Sequence, residues 1–187
     1  MESILRQAQR LERLVVNLLE ASKIEHGRID KIDGDVDVVP VVTRVIDEFQ
    51  AAWPARAFLL SGTDEPCHAV GNELWVEQIL SNLVSNAIKY SPGSEPVEVA
   101  VVESSGEVEI AVTDNGPGIP PPERERIFER FHRLEQSETQ SGTGLGLYIA
   151  RQLAGEIGAT VTVRGAPGQG SRFCLHLRRA GRLIAVS

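Results

Sequence analysis

Residues 73–90 constrain the fold of this chain more than any other segment. Gly71 and Asn72 precede them and Pro92 follows, and these residue types commonly begin and end helices. Apolar side chains recur every three or four positions and share one face of the helix: Val76, Leu80, Leu83, Ala87 and Tyr90. A helix with one apolar face must bury that face against another layer, so we expect a layered domain in which this helix lies on a sheet.

A second stripe lies beside the apolar face of this helix. Its members are spaced four, four and three residues apart: Gln78, Asn82, Asn86 and Lys89. The stripe could be the solvated side of an ordinary amphipathic helix. It could also be a binding site, since amide groups next to a core are costly without partners. An asparagine oxygen suits a hard cation such as Mg²⁺, and a lysine one turn further on can meet phosphate.

The other segments predict an α+β fold. A helix begins near Pro40, a short helix is expected near residues 122–131, and a third regular helix covers residues 145–157. Short runs of alternating or apolar residues predict strands at 57–60, 68–70, 96–103, 107–113, 160–163 and 171–177. The turns around Gly106 and between residues 165 and 170 predict that the last four strands form two hairpins.

The first residues of the chain predict a separate element. Residues 1–27 contain a long helix over 2–26 with a heptad-like apolar seam. This helix could pack on its own domain or form a homodimer with a second chain, and both possibilities remain open. Residues 28–39 are interpreted as a polar linker, residues 40–180 as the main domain and residues 181–187 as a tail.

Composition excludes several function classes. The net charge is −7, which argues against a nucleic-acid-binding surface. Cys67 and Cys174 lack metal-ligand spacing and fit a reducing compartment, so we expect a cytoplasmic protein. No run of 18 apolar residues occurs, so a membrane anchor would have to belong to a missing N-terminal part.

Two glycine clusters flank a long segment without strong periodicity. The first, DNGPG at residues 114–118, follows an apolar strand, and the second, GTGLGL at residues 142–147, opens a helix. Each cluster alone could be a plain turn. Glycine also lets a backbone approach a ligand closely, and a helix N-terminus binds phosphate. No Gly-Lys-Ser/Thr follows the second cluster, so it is not a lysine-ended phosphate loop.

The segment between the clusters could act as a lid or binding loop. Phe128 and Phe131 could anchor it, and Arg130 and Arg133 are candidate phosphate contacts. A solvated helix with a normal charge mix explains most of its other charges. The four histidines of the chain have no triad-like or metal-like neighbours in sequence, so we expect them to be structural.

Four pieces in this order resemble the boxes of sensor histidine kinases. Residues 82–90 (NLVSNAIKY) resemble the N box, residues 114–118 the first glycine box, residues 128–133 (FERFHR) the F box and residues 142–147 the second glycine box. Residues 18–25 resemble the end of the second dimerisation helix. The resemblance implies a Bergerat-type ATP-binding domain, a two-layer α/β sandwich in which three helices back a mixed sheet, as in gyrase, Hsp90 and MutL. A long N-terminal helix would precede it.

The resemblance also implies roles for individual residues. Asn86 would coordinate Mg²⁺, Lys89 would reach phosphate, Asp114 would bind N6 of adenine and Arg133 would stabilise charge on the γ-phosphate. Hydrolysing relatives carry a glutamate at the position of Asn82, which favours phosphoryl transfer over hydrolysis in this chain. The residues expected at the nucleotide are Asn82, Asn86, Lys89, Tyr90, Asp114, Gly116, Gly118, Ile119, Phe131, Arg133, Thr143, Gly144, Leu145, Gly146 and Leu147.

One part of the family pattern is absent from this sequence. The phosphoacceptor histidine of such kinases lies in a Ser-His-Glu-Leu-Arg-like box, and no such box occurs here. The expected activity is therefore transfer of the γ-phosphoryl of ATP to a histidine on another segment or chain, in a bacterial two-component system with a response regulator. A nucleotide-binding regulatory module and an ATPase of the gyrase or Hsp90 type remain the alternatives.

Overall fold

The computed structural model of the protein describes residues 34–134 and 143–181. The predicted helix over 2–26 with its homodimer, the first half of the linker, the middle of the lid, Gly142 and residues 182–187 lie outside the described residues. Within the described part, no helix is long and apolar enough to cross a membrane.

A five-stranded sheet forms one layer of the domain. Its strands are β2 Phe58–Ser61, β4 Val97–Glu103, β5 Glu107–Asp114, β6 Thr160–Gly165 and β7 Ser171–Arg178. The strand order is β2-β4-β5-β7-β6, with β2 parallel to β4 and all other neighbours antiparallel. The sheet is therefore mixed, as expected.

A two-stranded sheet shows that the domain begins earlier than predicted. Strand β1, Gly34–Asp37, pairs antiparallel with β3, His68–Gly71. Residues 34–39 were expected in the linker, but Val36 and Val38 are buried in the main core. The cluster of acidic residues and Gly34 conceals this strand in the sequence, and only its pairing with β3 reveals it.

Three helices form the second layer: α1 Val38–Ala52, α2 Glu73–Tyr90 and α3 Gly146–Glu156. The side chain of Asn72 caps α2 by accepting a hydrogen bond from the N–H of Trp75 at 3.2 Å. Helix α2 contacts both other helices and the sheet, and of its predicted apolar face Val76, Leu80, Leu83 and Ala87 are buried whereas Tyr90 is half-buried. The predicted arrangement, a mixed sheet backed by three helices, is confirmed.

The segment after β5 differs from its prediction. Instead of one helix near 122–131, the chain forms two short 3-10 helices, Pro121–Glu123 and Arg126–Phe128. The three prolines at 120–122 fix backbone angles and remove N–H donors, which prevents regular helical bonding through the first turns. Ile127 and Phe128 are buried, so this segment is anchored to the core by its apolar side chains.

Candidate functional site

Helix α2 and the start of α3 form one side of the candidate site. A Cβ atom added to Gly146 would lie 3.3 Å from Oδ1 of Asn82, so the first turn of α3 approaches the amide stripe closely. Among the described residues, Nδ2 of Asn82 is buried and has no hydrogen-bond partner. A buried amide without a partner is costly in a finished core. Because Asn82 lies beside the N-terminus of α3, a polar ligand bound there would supply the missing hydrogen-bond partner.

The polar stripe of α2 continues from Asn82 towards the C-terminal end of the helix. Asn86 and Lys89 follow at one-turn intervals, and both are half-buried. Nζ of Lys89 donates to the hydroxyl of Tyr90 at 2.5 Å and lies 4.3 Å from the centre of its ring. The structure therefore places these four predicted site residues along one edge of α2.

Asp114 ends β5 at the other side of the site. It is only 2% exposed, and its Oδ1 accepts a hydrogen bond from the N–H of Gly116 at 2.7 Å. Burial raises the pKa of the Asp114 carboxyl above its usual value. The N–H groups of Gly116 and Ser171 and the charge of Arg56 act in the opposite direction and lower this pKa. The carboxylate is thus a desolvated acceptor at the end of a strand.

Close packing explains both glycines of the first cluster. A Cβ atom on Gly116 would lie 2.7 Å from Oδ1 of Asp114 and 2.9 Å from the carbonyl oxygen of Tyr90. Gly118 has a φ of 72°, and a Cβ atom there would overlap the carbonyl group of Ala166. Gly118 is therefore required by contact with the turn between β6 and β7.

The turn between β6 and β7 forms one side of the site, and this role was not predicted from the sequence. Gly168 donates its N–H to the carbonyl of Pro117 at 2.7 Å, and Gly170 donates to the carbonyl of Gly116 at 3.1 Å. The turn therefore holds the loop that follows Asp114. Its glycines were interpreted as an ordinary hairpin turn, and no local signal in the sequence indicates this long-range contact.

The second glycine cluster meets the F-box segment. The N–H of Phe131 donates to the carbonyl of Gly144 at 3.1 Å, and a Cβ atom on Gly144 would lie 2.7 Å from the backbone of Phe131. Phe131 has a φ of 64°, a conformation that a phenylalanine rarely adopts. Oγ1 of Thr143 accepts from the N–H of Leu145 at 3.2 Å. These contacts shape the backbone that leads into α3.

Several predicted site residues have side chains that point into the core or into solvent. Ile119 and Leu145 belong to the hydrophobic core cluster, so each could contact a nucleotide chiefly through its backbone. The ring of Phe131 is 56% exposed and lies under the guanidinium of Arg130 at 5.0 Å. Arg133 is half-buried. Their roles at a nucleotide stay predictions.

A pair of side chains anchors the F-box segment to the domain. Nε2 of His132 lies 2.7 Å from Oε2 of Glu123, and this contact lowers the pKa of the Glu123 carboxyl. Arg124 donates to the carbonyl of Gly165 at the end of β6. His132 thus has the structural role that the sequence analysis expected.

Away from this site, the described residues contain one group of side chains of the types that bind metal ions. Glu109, Cys174 and His176 lie on β5 and β7, with ligand atoms within 4.8 Å of one another. They occupy the face of the sheet opposite Phe173, which belongs to the core. Arg172 donates to Glu109 at 2.8 Å, so a cation already neutralises this group.

Comparison with protein families assigns the domain. Residues 71–181 match the family described as histidine kinase-, DNA gyrase B- and HSP90-like ATPase. The chain belongs to this family. The matched range begins just before α2 and contains both glycine clusters and the turn between β6 and β7. The fold is therefore the Bergerat-type ATP-binding fold, and the domain is the ATP-binding catalytic domain of a sensor histidine kinase.

Individual relatives agree with the family assignment. The sensor-like histidine kinase SenX3 of Mycobacterium tuberculosis is 37% identical over 180 residues, which cover 94% of this chain and 44% of that protein. The histidine-protein kinase AfsQ2 of Streptomyces coelicolor is 36% identical over 175 residues, covering 93% of this chain and 32% of that protein. The chain therefore spans less than half the length of these relatives.

Solved structures share the fold. The mycobacterial sensor histidine kinase MprB superposes with a TM-score of 0.69 at 28% identity, over 79% of this chain and 98% of that one. Full-length ShkA in complex with AMPPNP superposes with a TM-score of 0.79 at 26% identity, over 96% of this chain and 38% of that one. AMPPNP is an ATP analogue, so the second likeness is to a protein with a nucleotide bound.

Proposed function

We propose that this domain binds Mg–ATP between α2, the Asp114 loop and the N-terminus of α3, and transfers the γ-phosphoryl group to a histidine. The observation that carries the proposal is the close approach of Gly146 to Asn82, since a Cβ atom added to Gly146 would lie 3.3 Å from Oδ1 of Asn82. This approach brings the unpartnered amide of α2 next to the first turn of α3, a combination suited to phosphate oxygens. Asn82 itself is an amide and not a carboxylate that could activate water.

Adenine recognition is assigned to the Asp114 side. The buried carboxylate accepts from the exocyclic amine, while Gly116 and Gly118 let the loop pack closely against Tyr90 and Ala166 and so shape this end of the pocket. Because Asp114 is 2% exposed, its hydrogen bond to the base forms away from water and contributes more than a surface bond. Tyr90 and Ile119 contribute to this end, the latter through its backbone.

Phosphate recognition is assigned to the α3 side. The backbone of residues 143–147 and the side chain of Lys89 would contact the phosphates, with Arg133 and the Phe131 backbone at the γ-phosphate. The family implies Mg²⁺, and the donor set of the described residues fits it. Asn86 offers a neutral amide oxygen one turn from Asn82, and Mg²⁺ commonly takes one or two protein ligands together with phosphate oxygens. When bound, the ion would neutralise charge on the β- and γ-phosphates.

The protein contributes positioning and electrostatics to the transfer. A ring nitrogen of the acceptor histidine attacks the γ-phosphorus, forming a P–N bond while the P–O bond to the β-phosphate breaks and ADP leaves. The donors at the N-terminus of α3 stabilise the negative charge that grows on the leaving oxygen. The acceptor would lie on a phosphoacceptor helix of the full-length protein or of another chain, and a response regulator receiver domain would take the group onward.

Transfer of γ-labelled phosphate to a supplied phosphoacceptor domain tests the proposal. We expect label on the histidine of that domain in the presence of Mg²⁺, and none when that histidine is replaced by glutamine. ATP binding without transfer would instead favour a regulatory module. Steady release of phosphate into water, abolished in Asn86→Ala, would favour the ATPase alternative.

A further inference from the structure

The four buried polar or charged residues among those that the structure describes form one group. They are Arg56, Ser91, Asp114 and Ser171, each less than 9% exposed. Three of them belong to the end of α2, the end of β5 and the start of β7, and Arg56 lies in the loop between α1 and β2. Distant parts of the chain therefore place their buried polar side chains at the adenine side of the site.

Arg56 holds the C-terminal end of α2. Its Nη1 donates to the carbonyl of Pro92 at 2.5 Å and lies 3.5 Å from the carbonyl of Ser91. A cation at a helix C-terminus is favourable because the last carbonyls are otherwise unpaired. The end of α2 is thus fixed by a residue about 35 positions earlier in the chain.

The same end of α2 contacts the loop that carries Asp114. Oγ of Ser91 accepts from the N–H of Asn115 at 3.4 Å, and the carbonyl of Tyr90 lies where a side chain on Gly116 would have to sit. Continuous contacts therefore run from Arg56 through the end of α2 to Asn115 and Gly116, the two residues that follow Asp114.

Stability alone does not explain a guanidinium in this place. Arg56 is 6% exposed, and among the described residues its Nε and Nη2 have no hydrogen-bond partner. Burial of a charged group with two unsatisfied nitrogens is costly, and an apolar residue of similar size would avoid that cost. Buried polar groups of this kind call for a functional explanation.

We propose that Arg56 is a positioning residue for adenine recognition and acts through Asp114. It fixes the end of α2 against the loop that follows Asp114, and it keeps a positive charge near the Asp114 carboxylate. The inference rests on the proposed function, because it assumes that Asp114 accepts from the adenine amine. The charge of Arg56 is also one of the influences that lower the pKa of Asp114 and so favour the ionised, accepting form. Arg56 itself does not contact the base.

Binding of ADP and inosine diphosphate to the full 187-residue chain separates this role from a general one. Inosine diphosphate carries an oxygen where ADP carries the amine, and so cannot donate to Asp114 from that position. We expect the wild-type chain to prefer ADP, and Arg56→Met to weaken ADP binding about tenfold, the worth of one charge-assisted hydrogen bond. Its affinity for inosine diphosphate should change less than about twofold. Arg56→Lys, which keeps the charge, should retain most of the preference.

The matched control is Arg44→Met, which removes an exposed arginine paired with Glu73 and Glu77 on the outer side of the helices. It should leave both affinities unchanged. If Arg56→Met fails to fold, Arg56→Gln carries the test, because it can still donate to the carbonyl of Pro92. Equal loss of both nucleotides, or an unchanged preference for ADP in the neutral variants, would overturn the role of Arg56. A wild-type chain that binds ADP no better than inosine diphosphate would overturn the proposed adenine contact, and this inference with it.

Discussion

At the Asp114 end of the proposed pocket, hydrogen bonds within the fold hold the loops that form the pocket, whereas at the Asn82 end a buried amide of the pocket itself has no partner among the described residues. The adenine end, here Ser91, Asp114, Gly116, Gly118 and the turn at 166–170, is held by hydrogen bonds from several strands and helices. The phosphate end, here Asn82, Asn86, Phe131, Gly144 and Gly146, has a buried amide without a partner and an exposed aromatic ring.

The difference indicates how the two halves would work. A preorganised adenine end binds the base without a further loss of conformational entropy when the nucleotide arrives. At the phosphate end, the phosphates and the ion would supply the missing hydrogen-bond partners and ligands. Nucleotide binding and the catalytic geometry would therefore form together. Substitutions that disturb the packing of the adenine end should therefore affect folding as well as affinity, and substitutions at the phosphate end should affect the transfer step.

The largest effect is expected for Gly118→Ala at the adenine end. The new Cβ atom would overlap the carbonyl of Ala166 at a φ of 72°, so the loop or the facing turn must move. Strain and overlap together should lower the free energy of unfolding by about 3 kcal/mol and abolish measurable ADP binding. Urea unfolding and calorimetric titration measure these changes. Gly93→Ala, where a Cβ atom meets nothing within 4 Å, is the control and should stay within about 0.5 kcal/mol of wild type.

At the phosphate end, Asn86→Ala should have the largest effect, and it should change the rate of phosphoryl transfer and not the stability. Loss of the proposed Mg²⁺ ligand should slow phosphoryl transfer about 100-fold, since charge stabilisation at the phosphates is lost. The free energy of unfolding should change little, because Asn86 is only half-buried. Transfer rates measured across a Mg²⁺ titration test this. The neighbouring exposed Ser85→Ala is the control, and an equally fast Asn86→Ala enzyme would break the assignment.

Asp114→Asn should weaken ADP binding by about 2 kcal/mol, roughly thirtyfold, because an amide replaces a charged acceptor. Its free energy of unfolding at neutral pH should not fall correspondingly, since burial opposes the charge of Asp114 in the fold. Parallel titration and unfolding experiments would show affinity and stability moving separately. Matching losses in both would mean that the carboxylate is chiefly structural.

The same carboxylate predicts the pH dependence of binding. The pKa of Asp114 in the folded domain is raised above 3.8. The protonated form is therefore favoured by folding, and its stabilising contribution is complete below 3.8 and lost as pH rises through the raised value. ADP binding has the opposite sign, because it needs the ionised form. Affinity should fall on acidification, beginning at a higher pH than for an ordinary aspartate, and Asp114→Asn should remove this step from the pH profile of affinity.

The smallest effect is expected for Arg151, an exposed residue on the helix that begins at the phosphate end. Arg151 on α3 pairs with Glu125 at 2.9 Å and lies over the ring of Phe128, but both charged groups are exposed. Arg151→Ala should lower the free energy of unfolding by about 0.5 kcal/mol and leave ADP affinity unchanged. A loss of 2 kcal/mol or more would show that α3 is held by its surface ion pair as firmly as the loops of the adenine end are held by their hydrogen bonds.

Local patterns in the sequence were enough for much of the fold. The period of Val76, Leu80 and Leu83 predicted α2, and the predicted helix at 145–157 differs from α3 by one residue at each end. Both predicted hairpins occur, because alternation and turn glycines are local signals. The ordered boxes indicated the family and its ATP-binding domain.

Other features depended on contacts that no local pattern encodes. The pairing of β2 with β4, the inclusion of residues 34–39 and the two 3-10 helices could not be predicted from the period of side chains. Ile119 was expected at the nucleotide, yet its side chain completes the core.

The sequence alone thus determined which residues share a face of each helix and strand. Together with the four boxes, it also indicated a nucleotide site. Only the tertiary structure brought Arg56, Ser91 and Ser171 to Asp114, and the turn at 166–170 to Gly118. The physical reason is that helix and strand periodicity is set by near neighbours, whereas a buried charge is positioned by residues far apart in the chain, and its partners are known only when the chain has packed.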